Sequence, residues 1–175
     1  MELDGLLEGL TNNLLITVFS SILPFLVGLF FNFVCKQSSA LTCFTHVFGM
    51  IFESICPVVI ISLIWYSGLG FAVNDRLICC IIGFSISFSG YIPSRYRADY
   101  SFSKNTVVNL FGLLSTIFKW SFCVSAIGIN DLLGRSDLIR GLTFDSGSLW
   151  LVLLISFFII LMLELAKFLA KKEMK

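Results

Sequence analysis

Three stretches of this chain contain no Asp, Glu, Lys or Arg: Gly9 to Cys35, Ser54 to Asn74 and Ser146 to Leu163. A soluble fold cannot use runs of that length, because each surface helix or strand needs a polar face toward water. A bilayer can use them, since about 20 mostly apolar residues in a helix cross its hydrocarbon core. Composition agrees: 13% of residues are charged and 57% hydrophobic, where a soluble domain carries roughly a quarter charged residues. A cytosolic enzyme is therefore excluded. So is a disordered chain, which needs low hydrophobicity and high charge. A net charge of +1 leaves no basic field for nucleic acid. The chain is read as an all-α integral membrane protein with one transmembrane domain over residues 1–175.

Five spans are expected, at about 14–34, 41–66, 77–94, 105–127 and 148–168. A cleaved signal peptide is not expected, because the head holds Glu2, Asp4 and Glu8 and its apolar run exceeds an h-region. Lys and Arg set orientation by crowding the cytoplasmic side. With the N-terminus outside, the inner segments collect Lys36, Arg95, Arg97, Lys104, Lys167, Lys171, Lys172 and Lys175, whereas the outer ones collect Arg76, Arg135 and Arg140. The imbalance predicts N-terminus out and C-terminus in.

Inside these spans two charges stand out. Glu53 lies in the second, four residues before Pro57, and Lys119 lies in the fourth. An ionised side chain at a helix centre costs about 2.5–3.5 kcal/mol on insertion scales and marks a functional candidate. Lys119 either snorkels along its stem or marks a helix interruption, where irregular backbone must line a cavity or be buried in protein. As the opposite charges placed deep in the spans, Glu53 and Lys119 are an expected ion pair. Gly83 and Gly90, with Ser85, Ser87 and Ser89 between, suit close helix packing. The cysteines Cys35, Cys43, Cys56, Cys79, Cys80 and Cys123 form no C-x-x-C pair, and His46 is the single histidine, so no metal site and no cofactor are expected. No H-E-x-x-H, phosphate-binding loop or nucleophile–base constellation is present, so the chain is not read as an enzyme.

Two stretches resemble the permease subunits of bacterial ABC importers of the polar amino-acid uptake type. Lys119-Trp120-Ser121-Phe122-Cys123-Val124-Ser125-Ala126-Ile127-Gly128-Ile129-Asn130-Asp131-Leu132 is similar to that family's K-D-S/T-S-L-x-S-x-I-G-x-x-E-L segment. Lys119, Ser121, Ser125, Ile127, Gly128 and Leu132 match, and Asp131 stands for the Glu. Thr143-Phe144 and a last span ending in a basic tail continue the likeness. Gly9-Leu10-Thr11 through Gly28 resembles the family's first span, and Pro57 with Tyr66-Ser67-Gly68-Leu69 resembles the R-x-x-P…Y-x-G-L segment of the second. The family's cytoplasmic E-A-A-x(3)-G loop has no counterpart between Tyr91 and Lys104. The second-span Arg is missing, and Trp120 and Phe122 replace an acidic residue and a serine.

The resemblance implies a subunit of an amino-acid or similar small-solute importer in the bacterial inner membrane, moving solute by alternating access. It implies a second permease subunit, identical or different, an ATP-binding subunit that hydrolyses the nucleotide, and an extracytoplasmic solute-binding protein. Without the E-A-A loop, the chain would suit the non-coupling half of a heterodimer. Lys119, Trp120, Ser121 and Ser125 are the candidates for the path, Glu53 is a further one, and Arg95 and Arg97 are candidates for cytoplasmic contact. Packing competes with function at each position. The alternative is a membrane scaffold or regulatory subunit without transport.

Overall fold

A computed structural model describes residues 2–35, 39–67, 75–91, 102–129, 131–143 and 147–173. Every regular element among them is helical: α1 (Glu2–Cys35), α2 (Ser39–Ser54), α3 (Pro57–Tyr66), α4 (Arg76–Ser87), α5 (Phe102–Ser121), α6 (Leu132–Thr143) and α7 (Gly147–Glu173). Short 3-10 turns follow α4 at Phe88–Gly90 and α5 at Val124–Ile127. The all-α expectation holds. By length and apolarity α1 and α7 can each cross a membrane, and the bent pair α2–α3 would make a third crossing.

In α1 the usual pattern is inverted. Its buried positions include Gly9, Asn13, Thr17, Ser20, Ser21, Pro24 and Gly28, three or four residues apart in the main, and they are small or polar. Leu6 and Ile16 are buried with them, but most of its large apolar side chains, among them Val18, Phe19, Ile22, Leu26 and Phe30, face outward. Lipid is as apolar as leucine, so helices in a bilayer gain by close backbone approach and interhelical hydrogen bonds instead of by hiding leucines. Accordingly α1 packs on α2, α4, α5 and α6. Ser20 Oγ donates to the Ile81 carbonyl at 3.3 Å and Ser85 Oγ to the Ser20 carbonyl at 3.4 Å, tying α1 to α4. At Gly9 an added Cβ would sit 2.7 Å from the Asp131 carbonyl oxygen, so only glycine admits the α6 entry there. Pro24 sits inside α1 without ending it, as membrane helices allow.

Pro57 acts differently. The second expected span is broken: α2 ends at Ser54, α3 starts at Pro57, and their axes are bent by 69°. Proline has no N–H to donate and disfavours helical backbone in the residue before it. It is therefore the natural first residue of a new helix, and Cys56 precedes it in extended backbone. The α3–α4 contact closes over Gly83, where a Cβ would come within 2.6 Å of Ile61 Cγ1. The small-residue face of the third span thus packs in the core, with Ser85, Ser87 and Ser89 buried.

Two further boundaries move. The first helix begins at Glu2, well ahead of residue 14, and the fourth ends at Ser121, short of 127. The charged stretch after it, which reads in sequence as a plain loop, contains α6. That helix forms because its mixed sequence has a buried stripe, including Leu132 and Ser136, to lay against α1 and α7. The main core gathers Ile16, Ile61, Phe84, Phe88, Leu113, Ile117 and Val124 from α1, α3, α4, α5 and the turns.

Candidate functional site

The broken helix opens a cavity of about 380 Å3. Ser54 and Ile55 at the end of α2 and Cys56 and Pro57 at the start of α3 form one wall. Ser87 at the end of α4, Phe88 in the 3-10 turn and Tyr91 just after it, with Thr116 and Trp120 of α5, form the rest. Each wall follows from local sequence. Pro57 makes the break. Serine hydroxyls spend themselves on their own helix, Ser54 Oγ on the Met50 carbonyl and Ser87 Oγ on Gly83, both across one turn. Thr116 Oγ1 likewise donates to Gly112 at 2.8 Å. Such back-bonding leaves each hydroxyl oxygen free to accept a donor.

The backbone of the break adds fixed partial charge. The last carbonyls of a helix carry negative potential and the first N–H groups positive. Here the end of α2 borders the cavity, while the α3 residue in its wall is Pro57, which brings no N–H, and the Val59 N–H is bonded to the Cys56 carbonyl at 3.0 Å. Such a site offers the carbonyl end of a broken helix, one of the features by which discontinuous membrane helices hold small charged solutes.

A second polar centre lies on the other side of α5. Glu164 of α7 accepts Ser115 Oγ at 2.9 Å and Lys119 Nζ at 3.3 Å on one oxygen, and Lys167 Nζ at 3.1 Å on the other. Among the described residues the carboxylate that Lys119 meets is Glu164, because α5 and α7 pack directly; the expected pair with Glu53 lies outside them. Glu53 lies in the last turn of α2, but its side chain is outside the described residues. Arg95 and Arg97 fall outside them too.

Of the other candidates, Trp120 lines the cavity. Ser121 is fully buried and donates to the Phe118 carbonyl, and Ser125 donates to Phe122 at 3.4 Å. Those two serines close the end of α5. The motif's glycine serves the backbone: Gly128 adopts φ of +78°, and its carbonyl accepts Arg76 Nη1 at 2.8 Å. Arg76 also lies 5.3 Å from the Trp65 ring centroid, joining α3, α4 and this turn. Asp131 starts α6, its Oδ1 accepting the Gly134 N–H at 2.6 Å. It is fully buried, and burial pushes its carboxyl up to about 6, against the opposing pull of backbone N–H donors. Arg135, one turn on, pairs with Glu8 of α1.

Sequence reasoning found Trp120 but missed Cys56, Ser87, Tyr91 and Thr116 as its neighbours. The available signal was Pro57, whose break creates the space they enclose. It also missed Glu164 as the partner of Lys119, although its position near the end of the fifth span was plain.

Compared with known proteins, the chain matches no family model and no curated protein sequence. A solved structure resembles it from end to end: the crystal structure of an amino acid ABC transporter with histidines, at 19% identity and a TM-score of 0.76, covering 97% of this chain and 94% of that one. At that identity the likeness is one of fold. The chain has the all-helical fold of a subunit found in an amino acid ABC transporter.

Proposed function

We propose that the chain is a permease subunit of an ABC-type importer for amino acids or similar small polar solutes, and that solute passes through the cavity at the α2–α3 break. The observation that carries this is a cavity at a helix break, bordered by the end of α2 and by serine and threonine hydroxyls. A free amino acid carries an ammonium on its central carbon, which the carbonyl end of α2 and the hydroxyl oxygens of the wall can accept. Hydroxyls of Ser54, Ser87 and Thr116 line the same space. The fold likeness to an amino acid ABC transporter supports the same assignment.

In this function the chain crosses the bacterial inner membrane five times with its N-terminus outside, and the cavity opens alternately to either side as bundles rock about it. A second permease subunit completes the path. An ATP-binding subunit supplies energy, and an extracytoplasmic binding protein supplies solute. Trp120 is the path residue retained from the sequence motif, whereas Lys119 serves the packing of α5 on α7.

Cys56 makes the test direct. The chain is purified with its co-expressed partners and treated with a small polar thiol reagent, and labelling is read residue by residue by mass spectrometry. Amino acids should slow modification of Cys56 at least severalfold and leave Cys43, exposed on α2, unchanged. If no amino acid protects Cys56, the cavity is not the solute site. A scaffold without transport draws support from the sequence, which lacks the E-A-A loop between Tyr91 and Lys104. Co-purification without any ATP-binding subunit, and normal solute uptake after deletion, would favour it.

A further inference from the structure

We propose that the joint between α1 and α6 binds a monovalent cation of sodium's size, held by the Asp131 carboxylate and the side-chain carbonyl of Asn13. The site is separate from the cavity at Pro57, and it stands on the fold whether or not solute passes there.

Two polar side chains at this joint are buried and unpaired. Asn13 and Asp131 are each 0% exposed. Among the described residues, neither Oδ1 nor Nδ2 of Asn13 has a hydrogen-bond partner, and neither has Oδ2 of Asp131. Backbone contact sets their placement. Asp131 and Leu132 lie so close to Gly9 that a Cβ there would not fit. Asn13 is one turn further along that buried stripe of α1, about 6 Å along the axis. Folded proteins leave few buried polar atoms unpaired, and those they leave call for a bound water or ion.

Charge favours the ion. A buried carboxylate is costly unless it is paired. Arg135, the base one turn on in α6, gives its guanidinium to Glu8 instead. The other titratable groups that interact with Asp131 among the described residues are Asp137, Cys80 and Cys123, and none of them brings positive charge. The joint is therefore short of one positive charge. A monovalent ion supplies it, whereas a divalent ion beside one carboxylate would leave a surplus charge buried.

The donors suit a hard cation, which takes carboxylate, carbonyl and water oxygens. The Gly134 N–H holds Asp131 Oδ1 at 2.6 Å, which fixes the carboxylate and leaves Oδ2 for the ion. The Ile129 carbonyl lies nearby and accepts the Asp131 N–H at 2.9 Å, keeping a second lone pair. Water completes the shell and accepts from Asn13 Nδ2. Asp131 falls between the expected fourth and fifth spans, so an ion reaches it from solution without crossing hydrocarbon.

Local hydrogen exchange, read by mass spectrometry on the chain purified with its co-expressed partners, tests the site. Sodium chloride and choline chloride are compared at about 100 mM and about pH 8, where they screen charge equally but differ in cation size. Amides of residues 131–136 should exchange about tenfold more slowly in sodium, the protection given by a ligand at about ten times its Kd. Amides of residues 157–163 on α7 should not change. Burial raises the Asp131 carboxyl to about 6, so at about pH 5 protons compete and the sodium effect should shrink to about twofold. Asn13→Leu and Asp131→Asn should each abolish it. Equal exchange in the two salts overturns the proposal without any variant, because a buried water or a proton then serves the pair. Sodium protection that survives in Asp131→Asn, or that extends equally to α7, places the effect elsewhere and also overturns it.

Discussion

α1 and α7 are both long, apolar and able to cross a membrane unaided, yet the fold uses them in opposite ways. A third of the membrane-capable window of α1 is buried, against 6% for α7. The difference lies in side-chain size along one stripe. Gly9, Asn13, Thr17, Ser20 and Ser21 let four other helices reach the backbone of α1. α7 presents Trp150, Leu153, Leu154, Phe157, Phe158 and Leu161 on its outside, and those hold neighbours at a distance. In water the bulkier helix would be the core. In lipid the small-residue helix is, because there the gain comes from contact and hydrogen bonding.

The sharpest way to break this contrast is to fill the stripe. Gly9→Val should cost about 3 kcal/mol, the upper end for overpacking, because backbone atoms of Asp131 and Leu132 occupy the space. Thermal unfolding in detergent would show it as a large drop in Tm. A small effect would mean that α6 does not sit against α1.

At the same junction Asp131 gives a pH signature. Its carboxyl is raised by burial from 3.8 to about 6, so the folded state holds the proton more tightly than the unfolded one. Stability contributed by that proton is full below about pH 3.8, declines as pH rises toward 6, and is flat above. Tm should fall across that window in the wild type, and Asp131→Asn should flatten the slope while keeping an acceptor for Gly134. An unchanged slope would show that another group titrates there.

Smaller effects follow from the serine contacts. Ser20→Ala with Ser85→Ala removes the two α1–α4 bonds and should cost about 0.6 kcal/mol per bond, the average for polar contacts between membrane helices. The smallest change is expected on α7. Phe157→Ala, 62% exposed, should leave the stability of the single chain within about 0.5 kcal/mol. A loss as large as that of Gly9→Val would reverse the roles assigned to the two helices.

Much of the fold was legible in advance because it depends on local composition. Long charge-free runs located α1, α3 and α7, and the Gly/Ser face of α4 announced its packing. Pro57 was seen as tolerated, but whether a proline bends a span or breaks it depends on what surrounds the freed carbonyls: Pro24 is absorbed and Pro57 is not. At the site, Trp120 was found through its motif. Ser121 and Ser125 share that motif but turn inward to nearby carbonyls, a choice of rotamer and neighbour that one-dimensional spacing does not encode. Glu164 escaped notice because charges near a span's end are ordinary.

By itself the sequence determined that this chain is helical and lives in lipid, since no other solvent accommodates such long uncharged stretches. The tertiary structure alone decided which long helix is central, which acid answers Lys119, and that a cavity opens at Pro57. Those outcomes depend on how near backbones come and on which helices pack side by side, and both are properties of helix pairs that no single segment carries.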